Sequence, residues 1–434
     1  MAPDPAYDTH HPLFKLFCPA ALDAMARETG VVRRLRHVVV PMLVLALVMS
    51  GSEPGKRCLE AVRQRYERLT TTTLARSSFW YRLTPALAEM MHALVLRALP
   101  LVSTALRFPR GALSGFSELL ALDSTVVRLH RFLSGVWPAC RTNHSKSAIK
   151  LHLVMRVADA SAVRVLLTGE RKSDAKVWTR VGPWVAGRLL LLDLGYYDFN
   201  LFARIQRNGG YFLSRAKSNF NPVLHEAHRV WPGRAIPIVG RTLRDILPEL
   251  ERQVLDAKVV VRHTRRRWRG HAKQAELPLR LVAVRDEHSG EYHSYLTNIP
   301  PEKVPAEDIR DLYRLRWQVE LAFKAMKSAG QIEVLPTENE HVVKILVWAS
   351  VLATLLSQAF YRLVRARVAA GRFMPPLRWA RLFARFATSL LTALFCQSGD
   401  TLKPLLDLMA HEAEDPNLNR KKRAFPCVPE LMPC

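Results

Sequence analysis

The sequence predicts an α/β fold: a mixed-sheet core that carries a β-rich insertion and is flanked by helical regions at both ends. Three observations predict it. Between about residues 109 and 217, apolar and β-branched runs alternate with amphipathic stretches, the rhythm of strands and helices that share one sheet. From about 218 to 302 the rhythm changes to alternating strands with polar turns. On either side of these stretches, apolar residues recur at helical spacing. The expected division is a helical region 1–108, a first core part 109–217, the insertion 218–302, a second core part 303–360 with an acid-bearing helix, and a C-terminal helical region with a basic tail, 361–434. At 434 residues and 49% hydrophobic content, the chain has ample material for such a core.

The elements follow in order. Phe14 to Arg27 is amphipathic and is punctuated by Thr29-Gly30. Arg33, Arg34, Arg36 and His37 precede the apolar run Val38 to Met49. A helix from about Gly55 to Arg68, a Thr-rich turn and a second helix through Phe79 to Leu83 resemble a helix-turn-helix, and equally an ordinary helical pair. FSELLALDSTVVRLH holds a strand around Asp123. SAIKLHLVMRVA and AVRVLLTGE read as a hairpin turning at Asp159-Ala160-Ser161. SDAKVWTRVGPWV opens on an N-cap residue and predicts a helix. RLLLLD is an apolar strand ending at Asp193, followed by a helix and by the strand GYFLSRAK. AKVVVRHTRRRWRG and LRLVAVRDEHSGEYHSYLTNIP supply the antiparallel strands of the insertion. Gln331 to Phe395 is mostly helical, and the tail carries Arg420-Lys421-Lys422-Arg423. The apolar runs Val38 to Met49 and Ile345 to Leu356 fall short of the roughly 20 residues of a membrane span. Both read as buried core helices, and no membrane partner is expected.

Charge narrows the partner class. Lys and Arg number 64 against 38 Asp and Glu, a formal net charge of +26. Such a field attracts polyanions, and the scatter of arginine along the whole chain favours a folded basic track over a basic tail. No Gly-rich phosphate loop appears, which argues against nucleotide-driven chemistry. Cys18, Cys58, Cys140, Cys396, Cys427 and Cys434 form no Cys-x-x-Cys pair and no zinc-spaced cluster, so they read as reduced thiols of a cytosolic protein. The N-terminal MAPDPAYDTHHP lacks the basic and apolar parts of a signal peptide.

The stretch Arg310 to Ser328 places four chemical groups on one helix face. From Tyr313, Arg316 is three residues on, Glu320 seven and Lys327 fourteen. At about 100° per residue they fall within roughly 60° of one another. Leu315, Val319, Ala322 and Met326 turn away, toward a core. A carboxylate ringed by Tyr, Arg and Lys suits a phosphodiester site, the Glu holding a metal and the others DNA phosphates; a solvated face is the plainer alternative. Asp123 closes FSELLALD and Asp193 closes RLLLLD, so each is expected at the carboxyl end of a buried strand. A single such Asp is often a turn or capping residue. Together with Glu320, however, two on adjacent strands would supply three carboxylates. That oxygen-rich set suits two magnesium or manganese ions and in-line phosphoryl displacement.

These residues resemble the insertion-sequence-4 family of bacterial DDE transposases. The resemblance is carried by DST at Asp123 to Thr125, by DLGYYD at Asp193 to Asp198, and above all by YRLRWQVELAFKAMK at Tyr313 to Lys327. The last fits the signature Tyr, two residues, Arg, three residues, Glu, six residues, Lys without a gap. SAIKLHL, YFLSRAKSN, YLTNIP and the N-terminal ETGVVRRLR are also similar, and the whole resemblance spans about Leu13 to Leu356. It implies a ribonuclease-H-like catalytic core, hydrolysis at transposon ends, strand transfer of the 3′-hydroxyls and a hairpin intermediate. By position, Asp123, Asp193 and Glu320 would hold two Mg2+ or Mn2+ ions, and Tyr313, Arg316 and Lys327 would grip phosphates. A flipped base would stack on an insertion tryptophan, with Trp268 the candidate and Trp231 and Trp317 its competitors. The implied partners are double-stranded DNA, as terminal inverted repeats and target, and a second copy of the chain in a homodimer on DNA. The first hundred or so residues would read the repeat, the C-terminal helices would mediate pairing, and the setting would be cytoplasmic and nucleoid-associated. Leu194 departs from relatives that carry Arg after the second acid. Two other functions fit the same residues: a ribonuclease-H-like nuclease that cuts without joining, and a binding-only DNA-end protein.

Overall fold

Strands form where apolar residues run together, and the sheet they build fixes the site. The computed structural model describes residues 12–32, 38–52, 59–102, 113, 115–140, 145–157, 161–178, 181–228, 236–268, 271–317, 320, 334–335, 337–368 and 376–413; the side chains of 266–268, 271–272, 334 and 376–377 are outside that description. Strands β1 (Leu119–Leu129), β2 (Ser147–Arg156) and β3 (Ala162–Gly169) form an antiparallel meander. On the other edge of β1, β4 (Leu189–Leu192) and β5 (Tyr211–Arg215) run parallel to it. Such parallel strands, buried on both faces, read as unbroken hydrophobic runs. The Leu189–Leu192 run is of this kind, and all four leucines are buried.

The insertion does not stand apart. Its strands β6 (Leu224–Ala227), β7 (Val254–Trp268), β8 (His271–Arg285) and β9 (Tyr292–Thr297) continue the same sheet, because β9 pairs antiparallel with β5. The strand order is β3-β2-β1-β4-β5-β9-β8-β7-β6, and β10 (Val334–Leu335) pairs parallel with the far end of β1.

Alternation along β1 divides the core into two layers. Leu119, Ala121, Val127 and Leu129 face the layer of N- and C-terminal helices, whereas Leu120 and Leu122 face Leu201, Phe202 and Ile205 and the apolar side chains of the insertion. The second layer includes α7 (Phe199–Arg207), which is capped by Asp198 accepting from the Leu201 N–H at 3.0 Å. The first layer gathers α1 (Pro12–Phe17), α2 (Pro19–Glu28), α3 (Val40–Ser50), α4 (Leu59–Thr70), α5 (Arg76–Trp80) and α6 (Pro85–Val102) around the 26-residue helix Glu340–Arg365. Gly51 allows a close approach: a Cβ there would lie 3.0 Å from the Ser350 Cα. His92 stacks on Trp348 at 4.5 Å between α6 and that helix. The helices Pro376–Phe395 and Gly399–Ala413 complete the layer. Helix α6 and the helix Glu340–Arg365 are long and apolar enough to cross a membrane by length and composition. Here the helix Glu340–Arg365 packs its apolar residues inward, Val347, Leu352 and Leu355 being fully buried.

Three sequence expectations change. Asp123 does not end a strand; it is the fifth residue of the eleven-residue β1. The stretch SDAKVWTRVGPWV does not form the expected helix: its described part makes only the 3-10 turns Asp174–Lys176 and Pro183–Val185. Ser173 makes no side-chain cap, Asp174 is drawn to other strands, and Gly182-Pro183 interrupts the run. Finally, the acid-bearing helix is not continuous. Beyond the short insertion helix α8 (Leu243–Ile246), α9 covers Ile309–Arg314, the chain turns at Leu315 and Arg316, and helix resumes at Trp317. Around the turn, 3-10-type bonds run from the Leu315 N–H to the Leu312 carbonyl and from the Arg316 N–H to the Tyr313 carbonyl. Val319, Ala322, Met326 and Lys327, Asp159 and Ala160 of the hairpin turn, and the basic tail lie outside the described residues.

Candidate active site

The register of the parallel pair sets the centre. Leu122 in β1 pairs with Leu192 in β4, so the next positions, Asp123 and Asp193, lie side by side on the same sheet face. β4 stops at Leu192, and the chain enters the 3-10 turn Leu194–Tyr196. On that edge of β1, the next described pairing is with β10 at Arg128 and Leu129. Among the described residues, β1 pairs with no strand on this edge from Asp123 to Val127, and this gap in the pairing between β4 and β10 is the crevice. One more step across, Leu192 pairs with Ser214, so Arg215 of β5 follows beside Asp193. The sequence reading assigned Arg215 no part in the site; its only signal was a basic residue closing an apolar strand.

The third acid comes from the segment after α9. Leu312 and Leu315 are buried in the helical layer, which turns Tyr313 and Arg316 toward the crevice. The Tyr313 hydroxyl donates to the Leu192 carbonyl at 3.4 Å, and its ring packs on Tyr295 at 5.4 Å. The Arg316 guanidinium lies 5.7 Å from the Tyr313 ring and donates from Nη2 to Glu320 Oε1 at 2.6 Å. Its Nε is buried without a hydrogen-bond partner. A buried unpaired donor is costly, and this one marks a place for a further acceptor.

Electrostatics tie the three acids together. Burial pushes the Asp123 carboxyl up to about 6. The Ser124 N–H, which donates to Asp123 Oδ1 at 2.7 Å, and Arg316 pull it down, while Asp193 and Glu320 push it further up. Burial likewise raises the Tyr313 phenol, with Arg316 opposing and Asp193 adding to the rise. Asp123, Asp193, Glu320, Arg316 and Tyr313 are therefore linked electrostatically. Two other predicted residues cannot be placed: Lys327 and the side chain of Trp268 lie outside the described residues, as does Trp231. Trp317 is half exposed. Leu194, the residue after the second acid, is partly exposed beside Asp193.

The donors are carboxylate oxygens, the chemistry that hard divalent cations take. Among the described residues, no three His, Cys, Asp or Glu side chains are close enough to hold a metal ion. Glu320 is turned onto Arg316, so it would have to leave that partner to join the two aspartates.

A second polar cluster lies on the opposite sheet face, and the sequence reading did not foresee it. Asp174 Oδ1 accepts from Lys150 Nζ at 3.1 Å and from Ser124 Oγ at 3.2 Å, with His152 Nδ1 at 3.7 Å. His152 is fully buried, and burial lowers it to about 4.

Known proteins resemble this chain along most of its length. It is 20% identical over 371 residues to the transposase for insertion sequence element IS231F of Bacillus thuringiensis subsp. israelensis, covering 79% of this chain and 78% of the relative. The transposase for IS1151 of Clostridium perfringens is 20% identical over 362 residues, covering 77% and 76%. A solved piggyBac transposase chain from a synaptic complex with hairpin DNA aligns over 97% of this chain and 91% of its own, at 11% identity and a TM-score of 0.46. A family model described as "Transposase DDE domain" matches residues 114–356, which run from just before β1 through the insertion and Glu320 into the helix Glu340–Arg365. The chain thus belongs to the DDE transposase family and is an enzyme that acts on DNA.

Proposed function

We propose that the chain is a transposase of the insertion-sequence-4 kind, with Tyr313, Arg316, Glu320 and Lys327 as its signature residues and a ribonuclease-H-like core. Its activity would be cleavage at the ends of its element and strand transfer of the 3′-hydroxyls into target DNA. The observation that carries this reading is the parallel register that sets Asp123 beside Asp193, with Glu320 in electrostatic reach of Asp123.

Asp123, Asp193 and Glu320 would hold the divalent ions, two of magnesium or manganese. Bound there, the ions would activate water or a 3′-hydroxyl and stabilise the leaving oxygen. The protein's own groups do the rest. Leu312, Leu315 and the Tyr313–Tyr295 packing fix the segment that presents Arg316. Arg316 offers a guanidinium fork with one Nε–H unpaired, and a phosphate oxygen suits that donor. Once Glu320 turns to the aspartates, Nη2 also becomes available to phosphate. Tyr313 and Lys327 would grip neighbouring phosphates, and Trp268 would stack a flipped base. The domain division read from the sequence, the homodimer on DNA and the cytoplasmic, nucleoid-associated setting belong to the same proposal.

The test is cleavage of a labelled duplex carrying the flanking element's end, with magnesium, by the wild type and by Glu320→Ala. Cleavage by the wild type alone, followed by joining to a target plasmid, supports the proposal. Cleavage without joining would make the chain a nuclease. End binding without cleavage by either protein would make it a binding-only DNA-end protein.

A further inference from the structure

We propose that Asp174 is a positioning residue that fixes the separation of Asp123 and Asp193 from the far face of the sheet. The inference rests on the carboxylate reading above and adds to it a residue that never enters the crevice.

Neither aspartate is held by a complete ladder. β1 loses its neighbour β4 one residue before Asp123, and β4 itself ends one residue before Asp193. β2 holds β1 at that level, but what fixes the distance from one aspartate's backbone to the other's must come from elsewhere. Asp174 touches both. Its Oδ1 takes the hydroxyl of Ser124, the residue after Asp123. Its Oδ2 lies against Gly195, two residues after Asp193, so close that a Cβ at Gly195 would fall 3.1 Å away.

The carboxylate is itself held from behind. Ser124, His152 and Lys150 share the second face of the sheet, because Ser124 pairs with His152 and Val126 with Lys150 across β1 and β2. Lys150 Nζ neutralises Asp174 at 3.1 Å. His152 lies between Thr168 Oγ1, at 2.9 Å from Nε2, and the Tyr196 hydroxyl, at 3.5 Å from Nδ1. Tyr196, from the turn that follows Asp193, is almost fully buried here. The cluster thus joins β3, β2, β1 and the turn after β4 into one hydrogen-bonded wall. Groups that orient the ligands of a metal site without touching the metal commonly matter about 10–100-fold to its affinity.

The experiment measures manganese binding to the full-length protein by the loss of the free-ion EPR signal, with thermal melts as the folding control. The wild type is compared with Asp123→Asn, Asp174→Asn, Ser124→Ala and Gly195→Ala. The expected result is a Kd for manganese raised about 10–100-fold in Asp174→Asn. Smaller rises are expected in Ser124→Ala and Gly195→Ala, with no further rise when either is combined with Asp174→Asn. Duplex binding should stay within about twofold of the wild type in all four, since none of these side chains is a phosphate ligand. Wild-type manganese affinity in a folded Asp174→Asn overturns the proposal. If Asp174→Asn does not fold, wild-type affinity in both Ser124→Ala and Gly195→Ala overturns it equally. Loss of binding in Asp174→Asn with none in Asp123→Asn would make Asp174 a ligand in its own right, and that also overturns it. If the wild type binds no manganese, the carboxylate reading itself fails and this proposal falls with it.

Discussion

Asp123 meets two opposing demands. As a proposed metal ligand it would have to be charged, yet burial and the nearby Asp193 and Glu320 favour the protonated form, which raises it from 3.8 to about 6. The folded state then binds this proton more tightly than the unfolded chain. The linked stability is full below about pH 4 and is lost as pH rises through about 6. Asp123→Asn, which cannot ionise, should therefore stabilise the metal-free protein at pH 7.5 by on the order of 1–3 kcal/mol, while abolishing cleavage. His152 has the opposite sign. Burial lowers it from 6.5 to about 4, so its contribution is present above about pH 6.5 and is lost as pH falls toward 4. Across that window the two trends offset in the wild type. Urea unfolding from pH 4 to 7.5 separates them. Asp123→Asn should lose more stability on acidification than the wild type, and His152→Gln should lose less. Parallel curves for all three proteins would show that neither group is perturbed as described.

Where an element is governed by its own residues, the sequence described it well. The Leu189–Leu192 run announces a buried strand, and the stretch after it announces the helix α7. Partners elsewhere in the fold set the features it missed. β1 runs on past Asp123 because β2 pairs with it residue for residue as far as Leu129 and Ser147. The break after α9 has no proline or glycine to signal it. It coincides with Tyr313 packing on Tyr295 and Arg316 reaching Glu320. Nor could the sequence show the insertion joining the main sheet through β5 and β9. Lys327 depends on helical spacing and the resemblance, and Trp268 on the resemblance alone. One buried pair ties the insertion to the segment that leads into α9: Arg280 meets Asp256 at 2.7 Å and donates to the carbonyls of Ile299 at 3.3 Å and Val304 at 2.8 Å. Removing one partner leaves the other charge buried and alone. Arg280→Met should cost about 3–5 kcal/mol, and adding Asp256→Leu should restore most of it. A loss below about 1 kcal/mol in urea unfolding would mean that the pair does not hold these elements together.

At the scale of the whole molecule, the net charge of +26 governs how DNA is met. Part of the basic set serves the fold, as Arg156 does with Glu118 and Arg280 with Asp256. Among the described Lys and Arg side chains these two are the buried ones, and the field of exposed charge reaches about 8–10 Å at ordinary ionic strength. Duplex binding should therefore be driven largely by counterion release. If 6–10 phosphates are contacted, affinity should fall roughly 10³–10⁵-fold between 50 and 200 mM salt. Fluorescence anisotropy on an element-end duplex and on a scrambled duplex of equal length tests this. The two plots of log affinity against log salt should run nearly parallel, because the phosphate contacts are common to both, and the end duplex should lie above by the contribution of base contacts. Asp123→Asn should leave both slopes unchanged, since a carboxylate releases no phosphate counterions. Slopes shallower than about 2 would mean that the basic surface does not face the duplex. The DNA would then be held by a few contacts in the crevice, and the charge would have to serve another purpose.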